Sequence, residues 1–168
     1  RNIIENLITE KNEGLGRALE QIKELAIRDE LTGVFNRRHM LEVLDHEKAL
    51  ADRKNYDFSV CYVDLDYFKK VKDKFGHATG DSVLKNFSRV AEQVTREVDC
   101  VARIGGEEFI LVLSGTNETD AVTVARRLAE GLRDMHVSRI EPRDRISASI
   151  GIAEYRSRES IRQLLDRA

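Results

Sequence analysis

Cys100-Val101-Ala102-Arg103-Ile104-Gly105-Gly106-Glu107-Glu108-Phe109-Ile110-Leu111-Val112-Leu113 is two short apolar runs separated by a glycine pair and two acids. The spacing predicts strands over Cys100–Ile104 and Phe109–Leu113 joined by a hairpin at Gly105-Gly106. Upstream, Phe58 to Asp64 is a third strand, β-branched and apolar, that ends on an acid; Ile146–Ala153 is a fourth. Helical periodicity fills the intervals: about Arg37 to Asp52 with Asn36 as cap, Tyr67–Lys74 closed by Gly76, Ala78–Val98, Glu118–Met135 and Ser160–Ala168. Within Ala78–Val98, Val83, Leu84, Phe87, Val90, Ala91 and Val94 share one side. Strands that alternate with helices, with one tight hairpin among them, predict an α+β fold. Its mixed sheet is flanked by helices in a split βαβ, ferredoxin-like arrangement.

The first 28 residues read differently. Ile4, Ile8, Leu15, Ala18, Ile22 and Leu25 fall on the a and d positions of a 3.5-residue repeat, with Lys11 as a polar interruption. Gly14 and Gly16 weaken that helix by about 1 kcal/mol each relative to Ala. A segment so polar on its other faces has little to bury within its own chain, so a coiled-coil-like dimerisation helix is expected over 1–28 and one globular domain over 29–168.

The chain has 168 residues, 41% hydrophobic and 35% charged, with 28 basic and 30 acidic side chains and a formal net charge of −2. That apolar share excludes a disordered chain. Without a basic excess, nucleic acid is not an expected partner. Cys61 and Cys100 lie in apolar runs and in no CxxC spacing, so two free buried thiols in a reducing cytoplasm are expected.

Acids carry the chemical signal. Asp64 and Asp66 close one predicted strand, and Glu107 and Glu108 follow the glycine pair. If these strands are neighbours, carboxylates from both meet at one sheet edge. Hard oxygen ligands in that number suit Mg²⁺, which takes one or two carboxylates together with phosphate oxygens. Glycines at 105 and 106 permit close approach to the backbone.

Gly105-Gly106-Glu107-Glu108-Phe109 resembles the signature of the GGDEF-domain diguanylate cyclases, in its GGEEF form. Four more segments resemble that family in the right order. They are Asp29-Glu30-Leu31-Thr32-Gly33 with Asn36-Arg37-Arg38, Asp64-Leu65-Asp66-Tyr67-Phe68-Lys69, Phe75-Gly76-His77-Ala78-Thr79-Gly80-Asp81 and Ser149-Ile150-Gly151-Ile152-Ala153. The resemblance implies a nucleotidyl-cyclase-like sheet and an enzyme that condenses two GTP into cyclic di-GMP and two pyrophosphates across a homodimer.

By the same resemblance, Asp64, Glu107 and the Leu65 carbonyl hold Mg²⁺, with Mn²⁺ as an alternative ion. Glu108 helps to deprotonate the 3′-hydroxyl, Lys69 meets the transferring phosphate, and the Tyr67 and Phe68 N–H groups face the terminal phosphates. Asp81 reads guanine; Lys72, His77, Gly105 and Gly106 complete the substrate-binding set. Arg96-Glu97-Val98-Asp99 resembles the family's RxxD inhibitory site, with Arg127 as a second contact and cyclic di-GMP as feedback ligand. An upstream sensor domain in a longer protein, with membrane tethering through it left open, is the implied input.

Two departures qualify the resemblance. Lys72 stands where the family usually has an Asn against the base, which opens the question of base selectivity. The family also continues past Ala168 into a stretch with a phosphate-gripping Lys and Arg, so a truncated C-terminal end is expected. The competing reading is a catalytically silent module that binds cyclic di-GMP or GTP as a sensor.

Overall fold

The computed structural model describes residues 2–141 and 144–168. In chain order these form α1 (Asn2–Ile27), β1 (Phe35–Asn36), α2 (Arg37–Arg53), β2 (Phe58–Leu65), α3 (Phe68–Phe75) and α4 (His77–Val94). There follow β3 (Cys100–Arg103), β4 (Glu108–Ser114), α5 (Glu118–Asp134), β5 (Ala148–Glu154) and α6 (Ile161–Arg167). The sheet order is β1-β3-β4-β2-β5. Each of the last four strands in that order is antiparallel to its neighbour, which is the ferredoxin-like arrangement, and β1 joins the edge parallel to β3. The sheet is therefore mixed, as the hairpin implied.

Period-2 alternation sends β2 and β4 side chains to two separate cores. Cys61, Val63, Leu65, Phe109, Leu111 and Leu113 pack under α4 and α5. Phe58, Val60, Ile110 and Val112 pack under α2 and α6. Both faces are covered, which explains why β4 reads as an unbroken apolar run. Phe87 of α4 and Phe109 of β4 are fully buried with ring centroids 4.6 Å apart. Truncating either to Ala would cost about 3–5 kcal/mol.

Helix starts follow the expected chemistry. Asn36 Oδ1 accepts the His39 N–H at 3.0 Å and caps α2, while its Nδ2 donates to the Ala26 carbonyl at 2.8 Å. Ser160 and Gln163 form a reciprocal capping box on α6. The structure corrects two boundaries: β5 begins at Ala148, two residues after the expected Ile146, and α4 stops at Val94, four residues before the expected Val98. Thr95 is extended, and the Arg96 N–H turns to the Asp99 carboxylate at 2.8 Å, a local bond that competes with the helix ladder. β1 adds an element beyond the expected ones, since two residues carry no readable period.

α1 buries none of its residues. Ile4, Ile8, Leu15, Ile22 and Leu25 are all more than half exposed. No helix among the described residues is long and apolar enough to cross a membrane.

Candidate active site

Register decides which acids meet. Asp64 of β2 lies directly opposite Glu108 of β4 and, on its other side, opposite Ser149 of β5. Opposed residues share a face, so Asp64 and Glu108 form the acidic pair at this sheet end. Glu107 joins through its backbone, whose carbonyl accepts the Leu65 N–H at 3.1 Å. The Glu108 carbonyl in turn accepts the Ile104 N–H at 2.9 Å and closes the hairpin. Asp66 stands apart from the pair. Ser147 Oγ and Ser149 Oγ donate to its carboxylate at 2.6 and 2.7 Å, pinning the end of β2 to β5.

Electrostatically the pair is unsettled. Burial, then the charges of Glu108 and Asp66, push the Asp64 carboxyl above its usual range. Tyr62 Oη donates to Glu108 Oε1 at 2.6 Å. That bond, burial and the neighbouring carboxylate charges push the phenol up to about 12. Among the described residues no three His, Cys, Asp or Glu side chains converge into a cation cage. Two opposed carboxylates without a full cage fit an ion such as Mg²⁺ that completes its shell with substrate oxygens and water.

The glycines serve different ends. A side chain at Gly105 would collide with Glu108 Oε2, whereas the space beside Gly106 is open. Arg103 secures the hairpin from behind. Its Nε donates to the Gly105 carbonyl at 3.1 Å and its Nη2 to the Gly106 carbonyl at 2.9 Å, while Nη1 pairs with Asp29 at 3.3 Å. Thr32 donates to the same Asp29 carboxylate through its hydroxyl at 2.6 Å and its N–H at 2.9 Å. Partial burial alone would raise the Asp29 carboxyl; the Thr32 bonds and the Arg103 charge outweigh it and hold the group below its usual value. Sequence reasoning places Asp29 within a motif but misses Arg103 and Tyr62. Their partners are distant in sequence, so only the strand register could have revealed them.

The remaining candidates surround this core at varying distance. Tyr67 caps α3 in the left-handed region (φ 55°, ψ 23°) and is exposed, and the first N–H groups of that helix have no acceptor within its own ladder. Lys69 and His77 are exposed and make no hydrogen bond or ion pair with the acidic pair among the described residues. Phe68 is buried, with the Lys72 ammonium 5.0 Å from its ring centroid. The Lys72 stem crosses Gly80, where a Cβ would lie 2.8 Å from Lys72 Cγ, and Asp81 is the exposed residue next in line.

At the far end of β4, Arg96, Asp99 and Arg127 line one cavity of about 280 Å³. There the Asp99 side chain is only 2% exposed while that of Arg96 is 58% exposed.

The sheet order and the opposed acids over a glycine hairpin define a nucleotidyl-cyclase-like α+β domain. Residues 26–168 match the family described as "Diguanylate cyclase, GGDEF domain". The chain is 33% identical over 133 residues to the probable diguanylate cyclase DgcC of Escherichia coli, covering 79% of this chain and 36% of that protein. It is 41% identical over 121 residues to the response regulator PleD of Caulobacter vibrioides, covering 71% of this chain and 25% of PleD. Among solved structures, the coiled coil and GGDEF domain of DgcB from Caulobacter crescentus in complex with c-di-GMP superposes with a TM-score of 0.88 at 28% identity, covering 95% of this chain and 85% of that one. Diguanylate cyclase SiaD in complex with its activator SiaC, from Pseudomonas aeruginosa, gives a TM-score of 0.82 at 36% identity, covering 96% and 62%. The chain belongs to the GGDEF-domain diguanylate cyclase family. It spans about a fifth to under half of the length of the curated relatives it matches.

Proposed function

We propose that this chain is a diguanylate cyclase that joins two GTP into cyclic di-GMP with release of two pyrophosphates. The observation that carries the reading is the Asp64–Glu108 register over Gly105-Gly106 in a chain of this family. Two protomers face each other, each with one GTP. The 3′-oxygen of one nucleotide attacks the α-phosphorus of the other, the α–β phosphoanhydride bond breaks, and pyrophosphate leaves. The 3′-hydroxyl proton passes to Glu108, and the step is repeated with the roles exchanged.

Asp64, Glu107 and the Leu65 carbonyl would hold Mg²⁺, or Mn²⁺ in its place, with the Glu108 carboxylate, on the strand position opposite Asp64, beside the same ion. The ion, once bound, draws charge from the phosphates. Lys69 and the N–H groups of Tyr67 and Phe68 bind phosphate oxygens. The open side of Gly106 admits the nucleotide, while Gly105 makes room for Glu108. Asp81 accepts from guanine N1–H and N2–H, with Lys72 and His77 beside it. Cyclic di-GMP binds back in the cavity of Arg96 and Arg127. Asp99, too buried to reach far, holds Arg96 in place.

Residues 29–168 form the catalytic domain. Residues 1–28 pair two copies and carry input from a sensor in a longer cytoplasmic or tethered protein. The unpartnered apolar stripe of α1 supports that role.

Incubating the full chain with GTP and Mg²⁺ should yield one cyclic di-GMP per two pyrophosphates, and Asp64→Ala should yield none. Binding of cyclic di-GMP without turnover would assign the silent sensor instead.

A further inference from the structure

Asp64 and Glu108 repel each other across β2 and β4, because like charges directly opposite on one sheet face are unfavourable. Glutamate has the longer, freer side chain, and the open space beside Gly106 would let it swing away. Two contacts hold it. Tyr62 Oη donates to Oε1 at 2.6 Å, and Oε2 lies against Gly105.

Tyr62 is itself well seated. It stands two residues before Asp64 on the same face of β2, opposite Ile110 on one side and Gly151 on the other. Its ring packs on the core beneath α2 and α6. At Gly151 a side chain would collide with the Ala168 carbonyl, so the neighbouring strand is bare at that position and the end of the chain packs there.

We propose that Tyr62 is a positioning residue: its phenol holds the Glu108 carboxylate in one place against Gly105, on the same sheet face as Asp64, so the acidic pair is set before cation and nucleotide arrive. A hydrogen bond to an ionised acceptor is among the stronger ones, and a preset carboxylate spares the ligands the work of gathering it. The consequence for turnover rests on the cyclase reading above; the geometry does not.

Tyr62→Phe, which keeps the ring and removes the donor, tests this in the full chain. In a metal-free crystal structure of Tyr62→Phe, the Glu108 carboxylate should leave its place against Gly105. Mn²⁺ affinity in the presence of a non-reactive GTP analogue, read from the free-ion electron paramagnetic resonance signal, should fall about tenfold. With GTP, kcat should fall by a similar factor while KM and the melting temperature hold.

If Glu108 keeps its place in Tyr62→Phe, or Mn²⁺ affinity is unchanged, the inference is overturned. If the wild-type chain makes no cyclic dinucleotide yet Tyr62→Phe still releases Glu108 and weakens Mn²⁺, the cyclase reading fails and the positioning role stands.

Discussion

The two ends of β4 treat their acids in opposite ways. At the Ser114 end the Asp99 carboxylate is saturated: Oδ1 accepts Arg96 Nη2 at 3.0 Å and the Ser114 N–H at 3.1 Å, and Oδ2 accepts the Arg96 N–H at 2.8 Å and its Nε at 3.2 Å. Nearby Glu47, also buried, accepts Ser114 Oγ at 3.0 Å and Tyr56 Oη at 2.8 Å. At the Glu108 end two carboxylates face one another, and among the described residues Asp64 accepts no side-chain hydrogen bond. A satisfied acid fixes a loop; an unsatisfied one at a solvent-facing edge is an unfilled electrostatic demand. The same strand thus carries a structural terminus and a chemical one.

The contrast can be broken at either end. The largest effect is expected at the unsatisfied end: Glu108→Ala should lower cyclic di-GMP formation by about a thousandfold or more, the scale of removing a charge-stabilising or proton-accepting group. A chromatographic assay that finds activity within a few fold of wild type would remove Glu108 from the chemistry. At the saturated end, Asp99→Ala should cost about 2–3 kcal/mol in urea denaturation, because it strands the backbone N–H groups of Ser114 and Arg96. A midpoint unchanged from wild type would mean that the loop needs no carboxylate.

Asp29→Asn, which weakens the clamp on Arg103 behind the hairpin, should cost about 1–2 kcal/mol near neutral pH. The Asp29 carboxyl lies below its unfolded value of 3.8, so its stabilisation is complete above that pH and is lost as pH falls through the lower folded value. The difference between wild type and Asp29→Asn should therefore shrink in acid; a constant difference would rule out the charge as its source.

The smallest effect on stability has the opposite sign. Asp64 is held above 3.8 in the folded protein, so its ionisation there opposes folding as pH rises through the folded value. Asp64→Asn should abolish turnover yet raise stability by up to about 1 kcal/mol at neutral pH, with no gain in acid. Any loss of stability at neutral pH would show that the acidic pair is not under strain.

Legibility in the sequence follows contact range. β2, β4 and their helices are readable because burial on two faces imposes continuous apolar runs and helical periods on the chain. Asn36 and Ser160 are readable because a cap acts within three residues. The end of α4 is not, since the bond from the Arg96 N–H to Asp99 competes with a helix that the apolar period alone would extend. The acids are legible as types, but only strand register shows that Asp64 faces Glu108 rather than Glu107, and that Asp66 belongs to Ser147 and Ser149. The clamp from Asp29 to Arg103 spans 74 residues and leaves no local trace.

Cys61 and Cys100 are free and buried, and burial pushes both thiols up to about 12. They stay protonated and shielded from reagents at neutral pH. Leu15→Cys or Ile22→Cys on α1 would therefore supply the single reactive thiol in the molecule. A spin label or crosslinker placed there would report the spacing and parallel or antiparallel sense of two copies without removing any native residue from the core.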